Sequence, residues 1–167
     1  MAERDFEVGD TFRDWRVVSP IRPQGMAKVY VVRQPLIGRD GVMKVIRTAG
    51  PNSPELERFR TEAKTLFALD HPNTPVFYDA GLDEADGTAV LILERLEGLD
   101  LAELLVRVRR FTLGDALYVA MEVLHALETL HHLVVHRDIK PANVFACIAP
   151  KRDSLGFIIT SMVRLLD

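Results

Sequence analysis

The hydrophobic period changes partway along this chain, and that change restricts the fold more than any other feature. The first half carries short β-rich runs, Trp15–Ser19, Ala27–Arg33 and Gly41–Arg47, bounded by Gly, Pro and Asp. Two further strand-like runs lie near Pro75–Tyr78 and Ala89–Glu94, separated by an Asp83–Gly87 turn. One helical pattern interrupts them. It follows the turn cluster Ala49–Pro54, in which Ser53 is a good N-cap, Pro54 fits the first helical position, and Glu55 and Glu57 suit the first turn. Leu56, Phe59, Ala63, Leu66 and Phe67 then recur at helical spacing to about Leu69, and Pro72 disfavours helical geometry in His71. After Gly98 the pattern turns helical. A short helix is predicted over Asp100–Arg109, and Thr112 with Asp115 outlines a capping box in which Asp replaces Glu or Gln. Leu117, Ala120, Met121, Leu124, Leu127, Leu130 and His131 form one stripe of a long helix. Strands with one helix, then helices, predict an α+β chain of two parts with a boundary near Leu96–Asp100.

Composition narrows the function. The chain has 167 residues, 48% of them hydrophobic, enough for a real core and about one domain by length. Lys and Arg number 21 against 24 Asp and Glu, so a net charge of −3 gives no electrostatic case for nucleic acid or an anionic membrane. The densest basic group, Arg107-Val108-Arg109-Arg110, reads as a solvated helix end. Cys147 is the only cysteine, which excludes an internal disulfide and a cysteine-rich metal site. His71, His125, His131 and His132 show no ligand spacing. The charged N-terminus has no apolar core, and no apolar run approaches the roughly 18 residues that span a bilayer. The expectation is a soluble, cytoplasmic chain with no membrane segment and no nucleic-acid partner.

The chemistry concentrates in His136-Arg137-Asp138-Ile139-Lys140-Pro141-Ala142-Asn143, just after the long helical pattern. An acid, a lysine and an asparagine stand there at fixed offsets. Phosphoryl transfer needs such a set: a carboxylate to orient a hydroxyl and accept its proton, a cation to offset phosphoryl charge, and an amide oxygen for Mg²⁺. A charged surface turn is the plainer reading, and eight ordered matches make it the weaker one. The segment resembles the H-R-D-x-x-x-x-N catalytic loop of protein kinases, and its wording is closest to serine/threonine kinases, bacterial ones included. The resemblance implies a two-lobed fold, with ATP between a β-rich N-lobe holding one main helix and an incomplete helical C-lobe. Residues 1–11 would be an extension, 12–96 the N-lobe and 97–167 the partial C-lobe. ATP and Mg²⁺ would be the cofactors and a protein the substrate.

Lys44 lies mid-strand among apolar residues, where an unpaired ammonium is costly to bury. Glu62, three residues after Phe59 and four before Leu66, flanks the buried stripe of the Ser53-capped helix and supplies a partner. Taken singly, Lys44 also reads as a solvent-facing edge lysine and Glu62 as an exposed helix acid. Gly41–Ile46 resembles the lysine strand of kinases, which implies a Lys44–Glu62 pair that presents the ammonium to the α- and β-phosphates. Val163-Arg164-Leu165-Leu166-Asp167 resembles the strand leading into the Asp-Phe-Gly motif, so Asp167 and Asn143 would hold Mg²⁺, a hard cation suited to oxygen ligands. Their separation exceeds the family's usual one, and Ala149–Gly156 reads as an enlarged hairpin turn.

The resemblance also implies an adenine pocket. The Glu94 carbonyl and the Leu96 N–H and carbonyl would meet the adenine edge, with Leu93 as gatekeeper. Ile21, Val29 and Val42 would form the roof, Phe145 the floor, and Asp100 would bind ribose; apolar residues at this spacing are also plain core. The phosphate loop departs from the family. Arg22, Gln24 and Ala27 stand where G-x-G-x-x-G has glycines, only the extra Gly25 remains, and weaker ATP binding is expected because backbone amides approach phosphates best without a Cβ nearby.

The resemblance runs from about Phe12 to Asp167, the earlier part of a kinase domain, so little turnover is expected from these residues alone. Three readings follow: part of an active serine/threonine kinase; a truncated pseudokinase-like nucleotide-binding or interaction module without turnover; and a kinase-fold phosphotransferase acting on a small molecule. The His-Arg-Asp wording with Lys140 argues against the last. Retention of Lys44, Glu62, Asp138, Lys140, Asn143 and Asp167 favours the first.

Overall fold

A computed structural model describes residues 5–24, 27–49, 53–83, 87–152 and 158–165. The chain forms two compact units. Met1–Ala68 with Val76–Arg95 make the first, and Leu69–Pro75 with Leu96–Asp167 the second. The α+β reading holds.

In the first unit, β1 (Thr11–Phe12), β2 (Trp15–Gln24), β3 (Ala27–Gln34), β4 (Arg39–Arg47), β5 (Phe77–Asp83) and β6 (Thr88–Glu94) form one antiparallel sheet in the order β1-β2-β3-β4-β6-β5. Alternation along β4 divides its side chains between two cores. Met43 and Val45 join Trp15, Val17, Tyr30 and Ile92 on one face. On the other, Ile46 and Leu91 meet Leu56 and Phe59 of α1 (Pro54–Ala68). The Leu56 N–H donates to Ser53 Oγ at 3.2 Å, so the predicted cap forms. Phe6 is also buried, edge-on to Tyr30.

In the second unit, β7 (Gly98–Asp100), β8 (Val144–Arg152) and β9 (Ile158–Leu165) form a three-stranded sheet beside α2 (Leu101–Val108) and α3 (Leu113–Leu130). Leu69, Leu101, Leu104, Ala126, Leu130, Val144 and Ala146 make its core. Asp100 caps α2, accepting the Glu103 N–H at 2.8 Å. Thr112 and Asp115 close the predicted capping box on α3.

Four local expectations need correction. A short strand, β7, precedes α2, because Gly98 at φ 151° passes so close to β8 that a Cβ would lie 2.1 Å from the Ala146 oxygen. The strand expected near Pro75–Tyr78 starts at Phe77, since Pro75 has no N–H for a ladder. Strand β8 extends through Arg152, inside the expected turn, and residues 153–157 of that turn lie outside the described ones. The stripe assigned to α3 merges two. Val119, Val123, Ala126 and Leu130 face the core, whereas Leu117, Met121 and Leu124 are exposed. No helix among the described residues is long and apolar enough to cross a membrane.

Candidate active site

Lys44 and Glu62 meet in the first unit. Cross-strand pairing places Val29 opposite Lys44 and Lys44 opposite Leu91, on the sheet face covered by α1. Glu62, one turn beyond Phe59, points its carboxylate at that face. Lys44 Nζ lies 3.0 Å from Glu62 Oε1, with the side chains 22% and 31% exposed. Neither reads as an isolated surface group. The sheet and the helix that carry them are fixed by separate apolar contacts, so the pair is held in place instead of forming by chance encounter.

The register aligns the other predicted residues of this unit. Ile21 pairs with Val29, Val31 with Val42, and Val42 with Leu93. Directly opposed residues share a sheet face, so Ile21, Val29, Val42, Lys44 and Leu93 stand together. Gln24, at the end of β2, pairs with Ala27 at the start of β3; Gly25, expected in the phosphate loop, lies outside the described residues. Glu94 ends β6, and its side chain accepts the Val76 N–H at 3.1 Å. Arg95 donates to Asp40 at 3.2 Å, and Asp40 is gripped by Arg33 at 2.6 and 3.0 Å. Sequence reasoning gave Glu94 a backbone role only and passed over Asp40; these contacts depend on long-range register, which no local pattern signals.

The second unit gathers Asp138, Lys140 and Asn143. A 3₁₀ turn over Pro141–Asn143 brings Asn143 back toward Asp138. Pro141 suits the first position of that turn, and the Asn143 N–H donates to the Lys140 oxygen at 2.9 Å. Asn143 Nδ2 donates to Asp138 twice, to its backbone oxygen at 2.9 Å and to Oδ2 at 3.0 Å. Lys140 Nζ reaches the same Oδ2 at 2.6 Å. Arg137, in the left-handed region at φ 65°, turns the chain so that the Asp138 N–H meets His136 Nδ1 at 3.3 Å. Asn143 is buried while Asp138 and Lys140 are exposed, so a fixed amide supports a solvent-facing acid. The Lys140 hydrogen bond holds the Asp138 carboxyl below the usual carboxylate range; desolvation opposes it as the next largest effect, and the Asn143 hydrogen bond and the Lys140 and His136 charges add to the lowering.

Three more predicted residues belong to this unit. Leu96, in the chain segment that leads to β7, is half-buried. Asp100 and Phe145 pair directly across β7 and β8 and share a face. Asp100 is buried, and one carboxylate oxygen serves the α2 cap. Asp167 lies outside the described residues. Among the described residues no three His, Cys, Asp or Glu side chains gather as a metal site. The donor chemistry of Asn143 nevertheless fits Mg²⁺. Its Nδ2 is committed to Asp138, which leaves an amide oxygen of the type Mg²⁺ takes alongside phosphate oxygens.

A family model described as protein kinase domain matches residues 24–158. The serine/threonine-protein kinase pkn3 of Myxococcus xanthus is 34% identical over 159 residues, covering 93% of this chain and 28% of that protein. The probable serine/threonine-protein kinase PknB of Corynebacterium glutamicum is 35% identical over 124 residues, 72% of this chain and 19% of that one. The crystal structure of the Mycobacterium tuberculosis PknI kinase domain aligns with a TM-score of 0.77 at 25% identity, covering 98% of this chain and 61% of that one. The chain thus spans less than a third of these curated relatives and less than two thirds of the solved domain.

Proposed function

Because the chain belongs to the protein kinase family, with bacterial serine/threonine kinases among its relatives, we propose that it binds ATP with Mg²⁺ and directs the γ-phosphate to a protein Ser or Thr hydroxyl. The observation that carries this reading is the Asp138 carboxylate, gripped by Lys140 at 2.6 Å and Asn143 at 3.0 Å. In this reading residues 12–96, save Leu69–Pro75 and Leu96, which pack in the second unit, form the nucleotide-holding lobe and 97–167 the transfer lobe, and the protein works in the cytoplasm without a nucleic-acid partner.

Each residue takes a distinct part. Lys44, steered by Glu62, fixes the α- and β-phosphates. Ile21, Val29, Val42, Leu93 and Phe145 enclose the adenine, Gly25 belongs to the phosphate loop, the backbone of Glu94 and Leu96 reads the adenine edge, and Asp100 meets the ribose. Asp138 orients the attacking hydroxyl. Its lowered pKa makes it a weak base toward a neutral alcohol, so it takes the proton late, once the oxygen has begun to bond to phosphorus. Lys140 offsets charge on the moving phosphoryl group. Asn143 and Asp167 would hold Mg²⁺, which neutralises phosphate charge when bound.

A formed Lys44–Glu62 pair and a formed catalytic loop support transfer over the reading without turnover. The test is Asp138→Ala in the full-length protein: phosphate transfer should disappear while nucleotide binding persists. Equal loss of both would contradict the assigned role.

A further inference from the structure

Val76 and Glu94 stand opposite each other, one step beyond the Phe77–Leu93 pair of the ladder. In a regular hydrogen-bonded antiparallel pair, two residues exchange both N–H···O=C bonds. Here only half of the exchange is backbone to backbone: the Glu94 N–H donates to the Val76 oxygen at 2.8 Å. The return bond runs from the Val76 N–H to Glu94 Oε2 at 3.1 Å. The Glu94 side chain therefore stands where its own carbonyl would stand in a regular pair.

We propose that the Glu94 carboxylate is a positioning group for nucleotide binding, closing the last step of the strand pair in place of the Glu94 peptide carbonyl. The proposal rests on the reading that this carbonyl meets the adenine edge. If Glu94 acted through its backbone alone, its side chain would be interchangeable. With the carboxylate serving Val76, the orientation of the peptide depends on a side-chain acceptor of the right length. An ionised acceptor also makes a stronger bond to an N–H than a carbonyl does. The next residue is secured too, since Arg95 is tied to Asp40 and Asp40 to Arg33. Successive side chains thus hold the end of β6 on both sides.

The test compares wild type, Glu94→Ala and Glu94→Gln in the full chain, by ATP titration and by hydrogen exchange of the Val76 amide. Glu94→Ala should weaken ATP binding by about tenfold and speed Val76 exchange by a similar factor, whereas Glu94→Gln, which keeps a side-chain oxygen, should recover most of both. Unchanged binding and exchange in Glu94→Ala would overturn the proposal. So would a Gln variant as impaired as the Ala variant. If wild type binds no ATP, the nucleotide reading falls and takes the binding role with it, and Val76 exchange still decides the strand-closing part: faster in Ala but not in Gln supports the carboxylate as the closing acceptor, and equal rates in all three refute it.

Discussion

An aspartate that accepts from both a lysine and an asparagine amide stays charged to lower pH than a lone carboxylate. The folded value of Asp138 lies below its ordinary one, so the Asp138–Lys140 pair is complete at neutral pH and is lost as pH falls through that lowered value. Removing the largest cause should reverse the shift. Lys140→Met is expected to move the acid limb of the transfer rate to higher pH, as seen in a pH–rate profile; an unmoved limb would show that Lys140 does not set the Asp138 charge. The Lys44–Glu62 contact makes a comparable prediction at the nucleotide. Glu62→Gln keeps the shape and removes the charge, and should weaken ATP binding by roughly tenfold in a titration, the scale of one charge-assisted hydrogen bond. Both residues were legible in the sequence for physical reasons. A lysine within an apolar strand needs a partner, and a helix acid beside a buried stripe is placed to be one.

At the scale of elements, the two sides of α3 should respond differently to the same chemical change. Leu130 lies in the core and Leu124 is 62% exposed. Leu130→Ala is expected to cost roughly 2–5 kcal/mol in denaturant unfolding, and Leu124→Ala about 0.5 kcal/mol or less. Equal losses would mean that both stripes are buried. Thr112→Ala breaks the capping box and should cost about 1 kcal/mol. The caps were legible because each is set within four residues of sequence. The facing of α3 was not, since two apolar stripes of similar strength share one helix and only the packed partner shows which is inward. The same limit hid β7, whose glycine is required by a strand more than forty positions away. Gln24 pairs with Ala27 and stands, on the proposed reading, at a glycine position of the phosphate loop. Gln24→Gly should tighten ATP binding, because removing a Cβ lets the backbone approach phosphate.

At the scale of the molecule, two units carry two separate groups of candidate residues. The first arranges Ile21, Val29, Val42, Lys44 and Leu93 on one sheet face, with Glu62 as ion partner to Lys44. The second builds an acid held by a lysine and a buried amide. The segment Leu69–Pro75 follows α1 in sequence yet packs in the second unit, where Asn73 donates to Glu122 at 2.7 Å and Arg164 donates to the Thr74 oxygen at 2.8 Å. No periodicity announces that exchange; it depends on partners 49 and 90 positions away. Residues paired within a few turns of chain were legible from local pattern, whereas those fixed by distant strands were reached through the family resemblance, as Val42 and Leu93 were, or not at all. The central claim is that the first unit is built around a nucleotide phosphate contact at Lys44. The most direct measurement is an ATP titration of the chain, with and without Mg²⁺, beside Lys44→Met. The account predicts saturable, Mg²⁺-dependent binding by wild type that weakens by about tenfold or more in the variant. No binding by wild type, or equal binding by both, would contradict it.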